Sequence, residues 1–529
     1  MKQLIFRTLA FITTLSGLNL YAGGLTDESL YRILKADAVY CGTYNDRPYA
    51  AYIEEINGLN VNGYYVNAAA AIADTVRFNM RFNDRYIVFT QHGQSQRLRL
   101  SGTKLQGTHI TGKAGSLFKR RRFDFDVVEQ PYYKEYDTRR YHEEIFGVET
   151  HKNVTFATAE GYWAEATDDS EEYGELIANL SKTLKMRDLD LRMDVYLPKD
   201  DTLSRHPLIM FIHGGAFYFG SKNDLSIVEW CRHYAAMGYV TASINYRIGF
   251  QPTLSGIERA GYRAVQDAHA AMRYLVANQD NYRIDTSMIF VGGSSAGAIT
   301  SLNLGYMTEE TRPATSFHKG ANKDLGTIAS SGNDLKATFT LKGIVDMWGA
   351  VSTLDVLGTN NIPIIAFHGN ADRIVPYDYD YPFTGAKSLK KVLFNKMYGS
   401  SCIAEEAPKH GIKAELYTFD GWDHSPHVNK DGSLNDNFYF IQDKMDGFFA
   451  DIITPDKVEM TNEQNTYSLT ASNCINVCWQ AEGGLITDFD SHHAKVIWFA
   501  NATQHMLKAS GTLPHGAAFS CRHEPDFNF

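Results

Sequence analysis

Beyond its first 22 positions the sequence has no apolar run of about 20 residues, so nothing after that point reads as a membrane-spanning helix. Cysteine is scarce, six in 529 residues. Cys474 and Cys478 have no second ligand pair at zinc spacing, which leaves a metal site without support. Positive charge is not in surplus either: 51 Lys and Arg stand against 61 Asp and Glu, for a formal net charge of −10. That balance argues against nucleic acid or an anionic membrane as the main partner. The composition also lacks the polar bias of a disordered chain, with 44% apolar and 21% charged residues.

What is present begins with an address. Lys2 and Arg7 form a positive end, Leu9 to Leu20 are mostly apolar, and Leu20-Tyr21-Ala22 is a small-residue cleavage site. Thr13, Thr14, Ser16 and Asn19 break the run, so residues 1–22 read as an export signal rather than an anchor. No cysteine at the cleavage point suggests a lipid anchor. The expected location is periplasmic, cell-surface or extracellular, with no integral membrane segment after signal removal. Export permits disulfides, and Cys474 or Cys478 with Cys521 is the expected bridge.

Three grammars follow. Residues 28–150 alternate short β-branched and aromatic runs with Asn, Asp and Gly turns, which predicts a β-meander, a small barrel or sandwich loosely similar to lipocalin-type barrels. Residues 151–453 alternate apolar strand-like runs with helical segments, which predicts an α/β fold: an eight-stranded, mostly parallel sheet covered on both faces. The eight runs lie at 154–157, 191–197, 208–212, 240–244, 289–291, 343–345, 364–367 and 415–419. An acidic run, Asp168 to Glu172, sits in the loop between the first two and reads as solvated. After Thr454 the alternation stops, and 455–529 predict a small immunoglobulin- or PKD-like β module. Neither flank carries a catalytic constellation; Lys119 to Arg122 read as a solvated strand edge, and His492-His493 lack companion ligands.

The central region is organised around Met288 to Leu302. A β-branched run ends in glycines, then Ser295, then an alanine-rich helical segment. Gly293 and Gly297 bracket Ser295 in a G-x-S-x-G, the strand–turn–helix that exposes a serine hydroxyl on a strained backbone. Three further strands end in polar residues: His213-Gly214-Gly215-Ala216-Phe217 after the third, His368-Gly369-Asn370-Ala371-Asp372 after the seventh, and Gly421-Trp422-Asp423-His424 after the eighth. Loops at the carboxyl ends of such strands converge on one crevice. A serine needs a base to take its proton, and the base needs a carboxylate to hold its tautomer.

These motifs, with Asn245-Tyr246-Arg247 and Gln266-Asp267-Ala268, resemble the α/β-hydrolase superfamily over about 150–453, and within it the carboxylesterase and lipase branches with a His-Gly-Gly oxyanion loop. The resemblance implies Ser295 as nucleophile, His424 as general base and Asp372 as acid. Backbone N–H groups of Gly215, Ala216 and Ala296, assisted by Gly214, would form the oxyanion hole. His427 and His410 compete for the role of base, Asp346 and Asp355 for that of acid. Asp423 is expected to be exposed, and His213 to anchor its loop. Ser294, Ala216 and an aspartate as acid depart from the type-B carboxylesterase pattern.

The expected activity is that of a secreted serine esterase without metal or organic cofactor, acting on a small-molecule or polysaccharide-linked ester. Tyr377, Tyr379, Tyr381 and Phe383 suggest an aromatic rim for an aryl or sugar group. The flanking β modules are candidates for binding carbohydrate, a cell surface or a secretion partner. Two rivals remain: a prolyl-oligopeptidase-type peptidase, for which no blade-length repeat is found, and a non-catalytic hydrolase-fold adhesion protein.

Overall fold

The computed structural model describes residues 35–83, 86–106, 108–116, 119–165, 185–251, 253–318, 322–384, 394–454 and 458–525. The expected export signal and the acidic run at 168–172 lie outside them. Contacts divide the chain into two compact units, one of residues 137–455 with 515–517, the other of residues 1–136, 456–514 and 518–529. The sequence divides the flanks into two modules; in the structure the N- and C-terminal segments share one unit.

The first unit is built on one sheet. Its strands are β1 (Gly147–Gly161), β2 (Arg187–Lys199), β3 (His206–Ile212), β4 (Val240–Ile244), β5 (Ile284–Ser294), β6 (Leu341–Met347), β7 (Ile364–Gly369) and β8 (Ala414–Phe419). They lie in the order β1-β2-β4-β3-β5-β6-β7-β8, and all eight apolar runs noted in the sequence fall on them. β1–β2 and β2–β4 pair antiparallel; every pairing from β4 to β8 is parallel. Central strands are apolar on both faces because helices cover both: all seven residues of β3 are buried.

Those helices are α1 (Leu225–Met237), α2 (Leu254–Ala277), α3 (Ala296–Tyr306), α4 (Ser400–Glu406) and α5 (Asp436–Ile453). α2 carries the recurrent apolar positions Ala260, Ala264, Ala268, Met272 and Leu275, all fully buried. Its N-terminus is capped by Thr253, whose Oγ1 accepts from Gly256 N–H at 3.1 Å. From β3 the chain steps to β4 on one side, while β5 lies on the other. That reversal opens a crevice at the carboxyl ends of β3 and β5.

In the second unit, eight antiparallel strands between Ala38 and Glu129 close into a barrel, the first pairing with both the second and the last. One strand beyond those read from the sequence is Val76–Asn83, where Val76, Phe78, Met80 and Phe82 alternate with Arg and Asn at the period of a half-buried strand. The C-terminal segment forms two small sheets, and Ile72–Ala73 adds a strand parallel to Trp498–Phe499. Val39, Ala50 and Val66 share an apolar cluster with Leu485 and Ile497, which makes the two segments one body.

The expected disulfide is absent: all six cysteines are free. Cys478 lies opposite Ser510 and Cys521 opposite Ala509, so the strand Met506–Thr512 separates them. Two strand spacings are about 9–10 Å, beyond the reach of a bridge. Cys474, the other expected partner, lies near enough to Cys521 to help raise its thiol pKa, while its own thiol donates to the carbonyl of Ala471. Among the described residues no helix is long and apolar enough to cross a membrane.

Candidate active site

Ser295 stands between the end of β5 and the first turn of α3, with φ 55° and ψ −118°. A non-glycine residue held there is strained, and the surroundings must over-determine it. Its N–H donates to the carbonyl of Met347 on β6 at 2.9 Å. The flanking glycines are forced by proximity: a Cβ on Gly297 would lie 2.0 Å from the carbonyl oxygen of Ile212, and one on Gly293 2.4 Å from Gly297 C. α3 therefore presses on the end of β3 and fixes the turn. The serine itself is 7% exposed.

His424 reaches that serine from the loop after β8. Its Nε2 lies 3.0 Å from Ser295 Oγ, and its Nδ1 lies 2.7 Å from Asp372 Oδ2. Asp372, in the tight turn after β7, has a fully buried side chain. Its Oδ1 accepts from Ile374 N–H at 2.7 Å and Val375 N–H at 3.0 Å. Burial alone would raise this carboxyl; the hydrogen bonds from His368 and His424 outweigh it and hold the group well below the usual carboxylate range. Asp372 stays charged, and it orients an imidazole whose far nitrogen faces the serine.

The loop after β3 runs over Ser295. A Cβ on Gly214 would come within 3.3 Å of Ser295 Cβ. Gly215, Ala216 and Phe217 take φ values of 105°, 54° and 59° in succession. Alanine thus occupies a left-handed conformation where a third glycine would have been easier. The N–H groups of Gly214, Gly215, Ala216 and Ala296 donate to no acceptor among the described residues. Unpaired donors beside a strained serine are what a developing oxyanion requires. His213 lies fully buried beneath them, stacked on Tyr246 at 4.4 Å, with Nδ1 2.7 Å from the carbonyl of Gly214. Burial lowers its pKa to about 4, so the ring is neutral.

The competing residues go elsewhere. His427 is buried between Trp348 and Trp230, with Nε2 2.9 Å from Ser226 Oγ, and burial lowers it to about 4. His410 sits 3.2 Å from Glu406 in the turn that follows α4. Asp355 accepts from Thr353 Oγ1 at 3.0 Å. Asp423 is partly exposed and accepts from the backbone N–H and the Nε of Arg373. Asp346 is buried at the end of β6, bonded to Ser400 Oγ and Gly349 N–H.

The tyrosine rim is not a single wall. Tyr377 hydrogen-bonds Thr418 and turns its ring against His368, Tyr379 stacks on Tyr398 at 4.3 Å, and Phe383 packs on Phe394. What the sequence did not reveal is the role of His368, whose Nε2 lies 3.2 Å from the same Asp372 oxygen that His424 uses. Its position in the quoted His-Gly-Asn-Ala-Asp run was the available signal.

The strand order, the strained serine and the Ser–His–Asp line define an α/β-hydrolase. Residues 193–361 match the BD-FAE family model. The chain is 29% identical over 110 residues to gut esterase 1 of Caenorhabditis elegans, covering 20% of this chain and 19% of that protein. It is 26% identical over 227 residues to juvenile hormone esterase of Heliothis virescens, covering 41% of this chain and 37% of that one. Among solved structures, a thermophilic esterase of Thermogutta terrifontis is 18% identical with a TM-score of 0.34, over 50% of this chain and 88% of that one. The chain thus spans well under half the length of these two curated relatives. Its central region is similar to serine esterases of the carboxylesterase kind.

Proposed function

We propose that the protein is an exported serine hydrolase that cleaves carboxylic esters, small or polysaccharide-linked, through an acyl-enzyme. The observation that carries this reading is the line from Ser295 Oγ through His424 to Asp372, at 3.0 and 2.7 Å. Ser295 Oγ attacks the ester carbonyl while His424 Nε2 takes its proton. The free N–H groups of Gly215, Ala216 and Ala296, with that of Gly214, receive the negative charge on the carbonyl oxygen. His424 then protonates the departing alcohol, and a water activated by the same nitrogen releases the acid. Asp372 keeps the proton of His424 on Nδ1 and stabilises the imidazolium.

A peptidase would use the same groups. The N-terminal strands form one closed barrel rather than the blades of a propeller, which favours the esterase. The C-terminal segment we read as an immunoglobulin- or PKD-like module and, with the barrel, as a candidate for carbohydrate or cell-surface binding. The test pairs the protein with its Ser295→Ala variant. A fluorophosphonate should label only the former, and short-chain p-nitrophenyl esters should turn over well ahead of aminoacyl or dipeptidyl amides. Absence of labelling would leave an inert scaffold; faster amide cleavage would make it a peptidase.

A further inference from the structure

Behind the acid lies a second hydrogen-bonded chain that the mechanism above does not use. His368, on β7, is fully buried. Its Nε2 is 3.2 Å from Asp372 Oδ2 and 3.2 Å from the carbonyl of Val375. Both neighbours can only accept, so Nε2 must carry a proton. On the other side, Nδ1 is 2.8 Å from Ser400 Oγ at the start of α4, and Ser400 Oγ is 2.7 Å from Asp346 Oδ2 at the end of β6. Ser400 and Asp346 are also fully buried. Asp346 Oδ1 accepts from Gly349 N–H at 2.8 Å.

With both contacts of Ser400 taken as hydrogen bonds, a count of protons leaves two arrangements. In one, Asp346 is charged, Ser400 donates to it, and His368 is an imidazolium. In the other, Asp346 holds the proton and donates to Ser400, Ser400 donates to Nδ1, and His368 is neutral. The two differ by the concerted shift of two protons, and the total charge is the same. Taking two charges out of water with only a serine between them is costly, which favours the neutral arrangement. Burial also raises the Asp346 carboxyl, against the pull of Ser400, His368 and Gly349.

We propose that Asp346, Ser400 and His368 form a proton-holding chain that keeps His368 neutral, with its Nε2–H on Asp372, and so sets the basicity of His424. The proposal rests on the triad reading above. His368 is a positioning residue: it touches neither serine nor substrate. Were it an imidazolium, it would compete with protonated His424 for one carboxylate. As a neutral donor it fixes Oδ2 and leaves Asp372 its full charge. Other ionisable groups among the described residues stand around the pair. On the His424 side stand Asp423, paired with Arg373, and His427, held neutral by burial. Tyr377 lies edge-to-face with His368 while its hydroxyl bonds Thr418.

The experiment is the pH profile of kcat/KM on p-nitrophenyl acetate for the full-length protein, with fluorophosphonate labelling to count competent sites. His368→Met and His368→Gln have the same length, but only Gln retains an N–H for Asp372. With Met, Asp372 loses a donor and binds the imidazolium more tightly, so the acidic limb moves up by about half to one pH unit. With Gln the limb stays in place. Asp346→Asn replaces the acid O–H by an amide N–H toward Ser400, and the limb should not move. A shifted limb in Asp346→Asn would mean the carboxylate is charged in the native protein and would overturn the proposal. So would equal limbs in the Met and Gln variants, with only the labelled fraction reduced. Should His368→Met fail to fold, a shifted limb in Asp346→Asn still overturns the proposal. An unlabelled native protein would instead sink the triad reading.

Discussion

β6 and β7 lie side by side, and each buries an aspartate at or just beyond its carboxyl end, yet the two carboxyls behave oppositely. Asp372 takes hydrogen bonds from two imidazoles and two backbone N–H groups, and its pKa falls. Asp346, more deeply buried, accepts one backbone N–H and touches one hydroxyl, and burial raises its pKa. Burial is common to both, so burial alone does not decide the charge. Its depth and the number of donors do. One strand end therefore holds its negative charge, while its neighbour is pushed toward the protonated form.

Breaking the charged member should cost most. Asp372→Asn leaves a group that cannot hold His424 in the required tautomer, and kcat on a short-chain ester should fall by about 10⁴-fold with KM little changed. A loss under tenfold would show that Asp346 or Asp423 can substitute.

The contrast also predicts opposite slopes of stability with pH. Asp372, with a depressed folded pKa, contributes stability present above about pH 4 and lost as pH falls below it. Asp346, with a raised folded pKa, contributes stability present below about pH 4 and lost as pH rises through its folded value. Asp346→Asn removes the second effect alone, so the gain in Tm from pH 4 to pH 8 should be larger than in the native protein. Calorimetry at the two pH values measures it, and an equal or smaller gain would contradict the contrast.

The mildest test concerns the histidine three residues beyond His424. His427→Phe keeps the ring between Trp348 and Trp230 and removes only the bond to Ser226; kcat should stay within about threefold. A larger loss would bring His427 into the chemistry.

Much of the site could be anticipated because its parts are local. The elbow around Ser295 is contained in ten consecutive residues, and Asp372 and His424 each follow a recognisable apolar strand. What could not be anticipated depends on packing between distant segments. Ser400 joins His368 across 32 positions and Asp346 across 54, with no local pattern marking it. The same holds for the flanks: Ile72–Ala73 pairs with Trp498–Phe499, a partnership that no turn or periodicity announces. The pairing of Cys478 with Cys521 fails for a related reason, since sequence proximity says nothing of the strand that separates the two.

The shared apolar cluster of Val39, Ala50, Val66, Leu485 and Ile497 also has a consequence for the chain during its synthesis. By the time Thr454 has been made, every strand of the hydrolase sheet exists, whereas the barrel still shows a greasy outer flank. That flank waits for more than 30 further residues before its cover is translated, and a nascent chain stalled in this interval would be a natural client for chaperones.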